Sequence, residues 1–202
     1  GYQAQGKVTI SGEVMFPGEY VLTNKAERLS DLVKRSGGLN KWAYVRGARL
    51  IRYTLAEERN RTRAGLVVLT SGKDSVNVEN LDLDQTYSVG IDLEAALADP
   101  GCEADLVLRR KDVLLIPEYI NTVKISGNVM YPNVVGYNSS FTVKDYVNMA
   151  GGYGYRPKRS KAYVVYMNGT IARARQTSKG VVEPGCEVVI PQRRERETNI
   201  QN

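Results

Sequence analysis

The chain has no histidine among its 202 residues. A serine or cysteine nucleophile would therefore lack an imidazole base, which excludes Ser-His-Asp and Cys-His arrangements. Paired carboxylates could still cleave a glycosidic bond. The pairs Glu57/Glu58, Asp82/Asp84 and Glu103/Asp105 sit close together in a stretch expected at the surface, where solvated side chains or helix caps are the plainer account. No phosphate loop of the form G-x-x-x-x-G-K-[ST] occurs. Cys102 and Cys186, each inside a Pro-Gly-Cys-Glu tetrapeptide, are too few for a zinc site without histidine. They are expected to be small semi-buried residues, with a disulfide as the alternative. No cofactor or metal is expected, and the chain does not read as an enzyme.

Contact chemistry is better represented. Gly151-Gly152-Tyr153-Gly154-Tyr155 runs into Arg156-Pro157-Lys158-Arg159-Ser160-Lys161. Aromatic rings beside cations stack on sugars or bases and attract anions. Tyr153, Tyr155, Arg156, Lys158, Arg159 and Lys161 are thus the candidate glycan or anion contacts, a plain solvated loop being the alternative. The glycines follow a predicted helix instead of opening one, so the helix dipole there is wrong for an anion. Phe16-Pro17 and Tyr131-Pro132 lie at two matched hairpin tips, where each ring is either a plug of the core or a protrusion that packs on a neighbouring domain or subunit. The net charge of +6 and pI near 9.3 fit an anionic partner or an ordinary basic surface. Nucleic acid has only the pI in its favour and is not the expected partner.

These residues are held by a duplicated unit. Val8-Thr9-Ile10-Ser11-Gly12-Glu13-Val14-Met15-Phe16-Pro17 recurs as Val123-Lys124-Ile125-Ser126-Gly127-Asn128-Val129-Met130-Tyr131-Pro132. Leu29 to Gly38 parallels Val143 to Gly152, Ala48 to Arg52 parallels Ala162 to Tyr166, and both units close on an apolar strand ending at Pro117 or Pro191. Four matched blocks in one order mark a tandem duplication.

Within a unit, alternating Val8/Ile10 or Val123/Ile125 predicts a half-buried strand. Gly12 or Gly127 interrupts it as a bulge or close backbone approach, and turn residues fold it into a hairpin. The Asn133 that stands where the first unit has Gly18 leaves room for a different turn. Leu29, Leu32, Val33 and Ser36, like Val143, Tyr146, Val147 and Ala150, have the spacing of one helix face. Thr142 and Asp145 form an expected capping box. Gly37-Gly38 and Gly151-Gly152 end the helices, since glycine alone enters the left-handed region freely.

Hairpin, helix, then returning strands gives the expected fold class: α+β, two tandem β-grasp-like domains, the first enlarged by a helical insertion. Residues 1–118 are expected to form the first domain with its insertion at about 53–105, residues 119–192 the second, and 193–202 a frayed charged tail. The insertion should hold a helix to about Leu69, capped by Thr54 and Glu57, then a strand at Tyr87–Ile91 and a short helix at Asp92–Leu97.

The V-x-I-S-G-x-V-x-x-P hairpin, the helix ending in Gly-Gly and the closing D-V-x-x-I-P strand resemble the soluble-ligand-binding β-grasp family. Tandem copies of these domains occur in outer-membrane polysaccharide-export proteins related to the Wza translocon. The resemblance spans about Lys7 to Pro191. It implies a non-enzymatic structural or interaction module of a capsular or exopolysaccharide export channel in bacteria, on the periplasmic side of the outer membrane. Implied partners are polysaccharide, with an anionic polymer favoured if the lumen is basic, other subunits of a homo-oligomeric ring beneath the pore, and an inner-membrane polysaccharide co-polymerase. A soluble ligand or glycan receptor, using a pocket between the units, is the alternative.

Overall fold

A computed structural model describes residues 6–58 and 86–194. In the first unit, Val8 and Ile10 of β1 (Lys7–Gly12) point inward and are fully buried, while their neighbours face out. The chain returns as β2 (Gly18–Val21), antiparallel to β1, and then forms helix α1 (Leu29–Arg35). Leu29, Leu32 and Val33 of α1 pack into the core beside Leu50 of β3 (Arg49–Tyr53) and Leu114 of β5 (Val113–Ile116). Each such side chain contributes about 1.5–3 kcal/mol on leaving water. With β4 (Thr86–Val89) the sheet runs β2-β1-β5-β3-β4, and its central pair β1/β5 is parallel.

The second unit repeats this order. β6 (Thr122–Gly127), β7 (Asn133–Gly136), helix α3 (Val143–Met149), β8 (Tyr163–Val165), β9 (Ile171–Arg173) and β10 (Glu187–Ile190) make a sheet β7-β6-β10-β8-β9. The central β6/β10 pair is again parallel. The molecule is two tandem β-grasp-like units, as expected from the sequence, and residues 8–17 and 123–132 occupy like places. Asn133 does not alter its hairpin: Ile125 pairs with Asn133 as Ile10 pairs with Gly18.

Glycine is required where the two central strands converge. Gly12 (φ 92°) and Gly127 (φ 80°) sit so close to the partner strand that a Cβ would lie 2.0 Å from the Ile116 carbonyl oxygen and 2.3 Å from that of Ile190. Each carbonyl accepts the next amide along, Glu13 N–H at 2.8 Å and Asn128 N–H at 2.6 Å, which turns the strand out of the sheet. The helix ends are equally specified, with Gly37, Gly38, Gly151 and Gly152 all at positive φ. Thr142 Oγ accepts the Asp145 amide and the Asp145 carboxylate takes the Thr142 amide, the expected capping box.

The insertion in the first unit differs from its sequence reading. β4 pairs with β3 as β9 pairs with β8, so the strand expected at Tyr87–Ile91 belongs to the repeated sheet. What is added is the long β3–β4 connection and the segment from β4 to β5 that holds α2 (Leu93–Ala98). Of the helix expected to about Leu69, everything beyond Glu58 lies outside the described residues. At its start the Glu58 carboxylate takes the Leu55 amide, one residue along from the expected Thr54/Glu57 pair. α2 is capped by Asp92, and the buried Asp105 carboxylate ties the segment to α1 by accepting the Ser30 amide, the Ser30 hydroxyl and the Gly101 amide.

The units also touch. Met167, in the β8–β9 turn, lies against Gly47 and Gly185, where an added Cβ would stand 3.2 Å and 2.1 Å from its sulfur. Asn168 Nδ2 donates to the Ile91 carbonyl at 3.0 Å, and Tyr44 meets Tyr119 edge-on at 5.3 Å. Cys102 and Cys186 are free thiols, so the disulfide alternative does not hold.

Candidate functional site, a basic groove in the second unit

The loop after α3 is built to project cations. Gly151 and Gly152 reverse the chain, and Tyr153 then forms an isolated antiparallel bridge with Val129 and packs its ring on the second core. The Arg159 guanidinium covers that ring at 4.3 Å from its centroid. Burial pushes the Tyr153 hydroxyl up in pKa, and the nearby Arg159 charge offsets part of this. Among the described residues its buried hydroxyl has no hydrogen-bond partner. Tyr153 is therefore a seat for Arg159 more than a face for a ligand.

Beyond it the chain is fastened to the exit of β10. Lys158 N–H donates to the Pro191 carbonyl at 2.7 Å, Arg193 N–H donates to the Arg156 carbonyl at 3.1 Å, and Pro157 bridges Gln192. Arg156 holds a left-handed backbone (φ 53°), uncommon for a residue with a side chain. A single 3-10 turn at Arg159–Lys161 follows and ends on buried Ala162, whose carbonyl accepts the Ala174 amide at 2.9 Å. That bond brings the segment after β9 alongside, and the Gln176 carbonyl is held in turn by the Lys144 amide of α3.

The result is an open groove with two lobes. One, of about 810 Å³, is lined by Arg156, Pro157, Arg159, Ser160, Ala174, Arg175, Gln176 and Arg193. The other, of about 890 Å³, is lined by Arg156, Lys158, Ser160, Lys161, Pro191, Gln192, Arg193 and Arg194. Among the described residues, no acidic side chain lines either lobe. Like charges gathered on a concave surface raise the local concentration of anions.

Of the residues expected from sequence, Arg156, Lys158, Arg159 and Lys161 come together here. Tyr155 stands beside them, 78% exposed, with its carbonyl held by Asn128 Nδ2. Three groove cations were not assigned to it from sequence. The sequence puts Arg193 and Arg194 in a frayed tail, whereas the bonds to Arg156 and Pro157 hold residues 192 and 193; residues 195–202 lie outside the described residues. Arg175 carried no local signal. The duplication could have revealed the tail contact, because Tyr44 N–H likewise donates to the Pro117 carbonyl in the first unit.

The hairpin tips protrude. Phe16 is 65% and Tyr131 69% exposed, each lying over the first glycine of its unit's Gly-Gly pair, which excludes the core-plug reading. Pro17 and Pro132 are exposed with them. Among the described residues no group of side chains could hold a metal ion, and no helix is long and apolar enough to cross a membrane.

The duplication gives the groove its meaning. In the first unit the loop matching Pro157–Lys161 is Ala43-Tyr44-Val45-Arg46-Gly47, and it is the face on which the second unit sits, through Met167 and Tyr119. In the second unit Tyr44, Val45 and Gly47 become Lys158, Arg159 and Lys161. The matched loop is a docking face in the first unit and, although Arg46 is matched by Ser160, a cationic face in the second.

The SLBB domain model matches residues 7–65 and 122–173, more than half of the chain and both copies of the repeat. The chain belongs to the SLBB domain family. Two curated relatives, both named polysialic acid transport protein KpsD and both from Escherichia coli, are 28% and 29% identical over 85 residues. Those residues are 42% of this chain and 15% of each relative, so the match spans a small part of the curated proteins' length. The soluble-ligand-binding β-grasp resemblance is thus borne out for this SLBB chain.

Proposed function

We propose that this SLBB chain is a non-enzymatic interaction module of a capsular or exopolysaccharide export apparatus, acting on the periplasmic side of the outer membrane. Its second unit contacts an anionic polysaccharide through the basic groove. The observation that carries this reading is the convergence of cations from three separate segments on one concave surface, with no acidic side chain among the described residues that line it. The relatives named for polysialic acid transport, a carboxylate-bearing polymer, agree with it. The mechanism is passive: long-range attraction gathers the polymer, and exchange of exposed ion pairs, each worth at most about 1 kcal/mol, lets it move on. Domains 1–118 and 119–192 serve as neighbouring blocks of a ring in the full-length protein. Phe16, Pro17, Tyr131 and Pro132 at the exposed tips pack on adjacent subunits there, and an inner-membrane co-polymerase is a further partner.

Biolayer interferometry with immobilised polysialic acid and with neutral dextran tests the groove. Binding to the acidic polymer alone, weakened by salt and by combined Lys158→Ala, Arg159→Ala and Lys161→Ala changes, is the expected result. Equal retention on dextran, or no effect of those changes, would refute it. The cleft of about 350 Å³ between the units, lined by Arg49, Met167 and Glu187 among others, favours a second reading as a small-ligand receptor. Saturable binding of a small solute that is lost on Arg49→Ala but kept in the groove variant would support that reading.

A further inference from the structure

Resting on the groove reading above, we infer that the groove is a pair of adjoining anion subsites that read successive charges along a linear acidic polymer. Three features point there. The two lobes are of similar size, about 810 and 890 Å³, and share Arg156, Ser160 and Arg193 as a common partition. Each lobe has cations of its own beyond the shared ones: Arg159 and Arg175 in the first, Lys158, Lys161 and Arg194 in the second. Finally, the partition is backbone-fixed, by the Arg193 N–H bond to the Arg156 carbonyl and by the left-handed turn at Arg156.

A single anion would be served by one lobe. Two lobes joined by a shared rigid edge suit a ligand whose anionic groups recur along one chain. The second group then binds intramolecularly, at an effective concentration set by the short link between sugars. The shared ligand chemistry is a repeating anion, carboxylate or phosphodiester.

The test measures affinity of the full chain by calorimetry for the monomer, dimer and tetramer of sialic acid, a phosphodiester-linked glycan oligomer of matched length, and a DNA oligonucleotide of matched charge. Expected is a rise of at least about tenfold from monomer to the shortest oligomer that fills both lobes, followed by a plateau per site. Arg175→Ala and Lys161→Ala, both exposed and each lining one lobe, should lower tetramer affinity more than monomer affinity and so flatten that rise, with the unfolding temperature unchanged. The two glycan arms identify which anion the subsites prefer. Equal affinity for monomer and oligomer overturns the paired subsites while leaving the groove reading intact. Equal affinity for DNA and glycan at matched charge overturns both subsite recognition and the glycan reading, leaving an unselective polyanion surface. Failure of every acidic glycan to bind overturns the groove reading and this inference together.

Discussion

Replacing Gly12 by alanine should destabilise the first unit far more than replacing Gly38, although both glycines hold nearly the same backbone conformation, φ 92° and 87°. At Gly38 a Cβ meets nothing within 4 Å, so Gly38→Ala carries only the left-handed penalty. That penalty is about 1–2 kcal/mol, partly offset because alanine restricts the unfolded chain. The net cost is about 1 kcal/mol. At Gly12 the same backbone term applies, but the Cβ would stand 2.0 Å from the Ile116 carbonyl oxygen, well inside contact. β1 and β5 must then separate, at about 1–3 kcal/mol for overpacking. The Glu13 N–H bond to that carbonyl is lost as well, at about 1 kcal/mol. The sum is roughly 3–5 kcal/mol, a large part of a small domain's stability. Equilibrium urea unfolding measures it, with Trp42, the only tryptophan, as a fluorescent reporter in the first unit. Gly127→Ala against Gly152→Ala repeats the comparison in the second unit by circular dichroism. Equal midpoints for Gly12→Ala and Gly38→Ala would refute the close-approach reasoning.

Asp112 is buried, accepts both Arg52 Nε and a terminal Arg52 nitrogen, and takes the Arg109 amide, so Asp112→Ala strands a largely buried guanidinium. A loss of about 3 kcal/mol is expected in urea unfolding, and a loss under half of that contradicts it. Thr142→Ala removes the α3 cap and should cost about 1 kcal/mol by the same assay. The Thr142 bonds hold the Asp145 carboxyl below its usual range. The advantage of wild type over Asp145→Asn is therefore present at neutral pH and disappears as pH falls through that lowered value. Burial pushes the Cys186 thiol up to about 11. Iodoacetamide labelling of folded protein, read by mass spectrometry, should be slow at neutral pH and accelerate only towards that value; rapid neutral labelling contradicts the burial. Met167→Ala empties the contact against Gly47 and Gly185 and should uncouple the units, so that the Trp42 and circular dichroism transitions part. Coincident transitions would show that the contact does not couple them.

The elements that depend on short-range pattern were legible in sequence. Alternation at Val8 and Ile10, the face shared by Val143, Tyr146 and Val147, and the two Gly-Gly stops all reflect constraints acting within a few residues. The duplication supplied the rest, because any element seen clearly in one unit could be sought in the other. β4 was harder. Without a short turn to join it to β3, its pairing depends on a partner more than 30 residues away, and sequence alone reads it as part of the insertion. The groove was half legible for the same reason. Arg156, Lys158, Arg159 and Lys161 are consecutive enough to stand out, whereas Arg175 and Arg193 reach them only through the bonds of Ala162 to Ala174 and Arg156 to Arg193. Phe16 and Tyr131 could not be assigned inside or outside from hydrophobicity, since exposure at a hairpin tip is decided by what the rest of the sheet leaves uncovered.

Amide chemical-shift mapping of the isotope-labelled chain, titrated with an acidic oligosaccharide, shows where the polymer touches the second unit. The two matched loops serve as internal controls for each other, one an inter-unit face and the other a cationic groove. Shifts concentrated at residues 155–161, 174–176 and 191–194, with the loop at 43–47 unmoved, are the predicted result. Equal perturbation of both loops, or shifts confined to the first unit, would contradict the account.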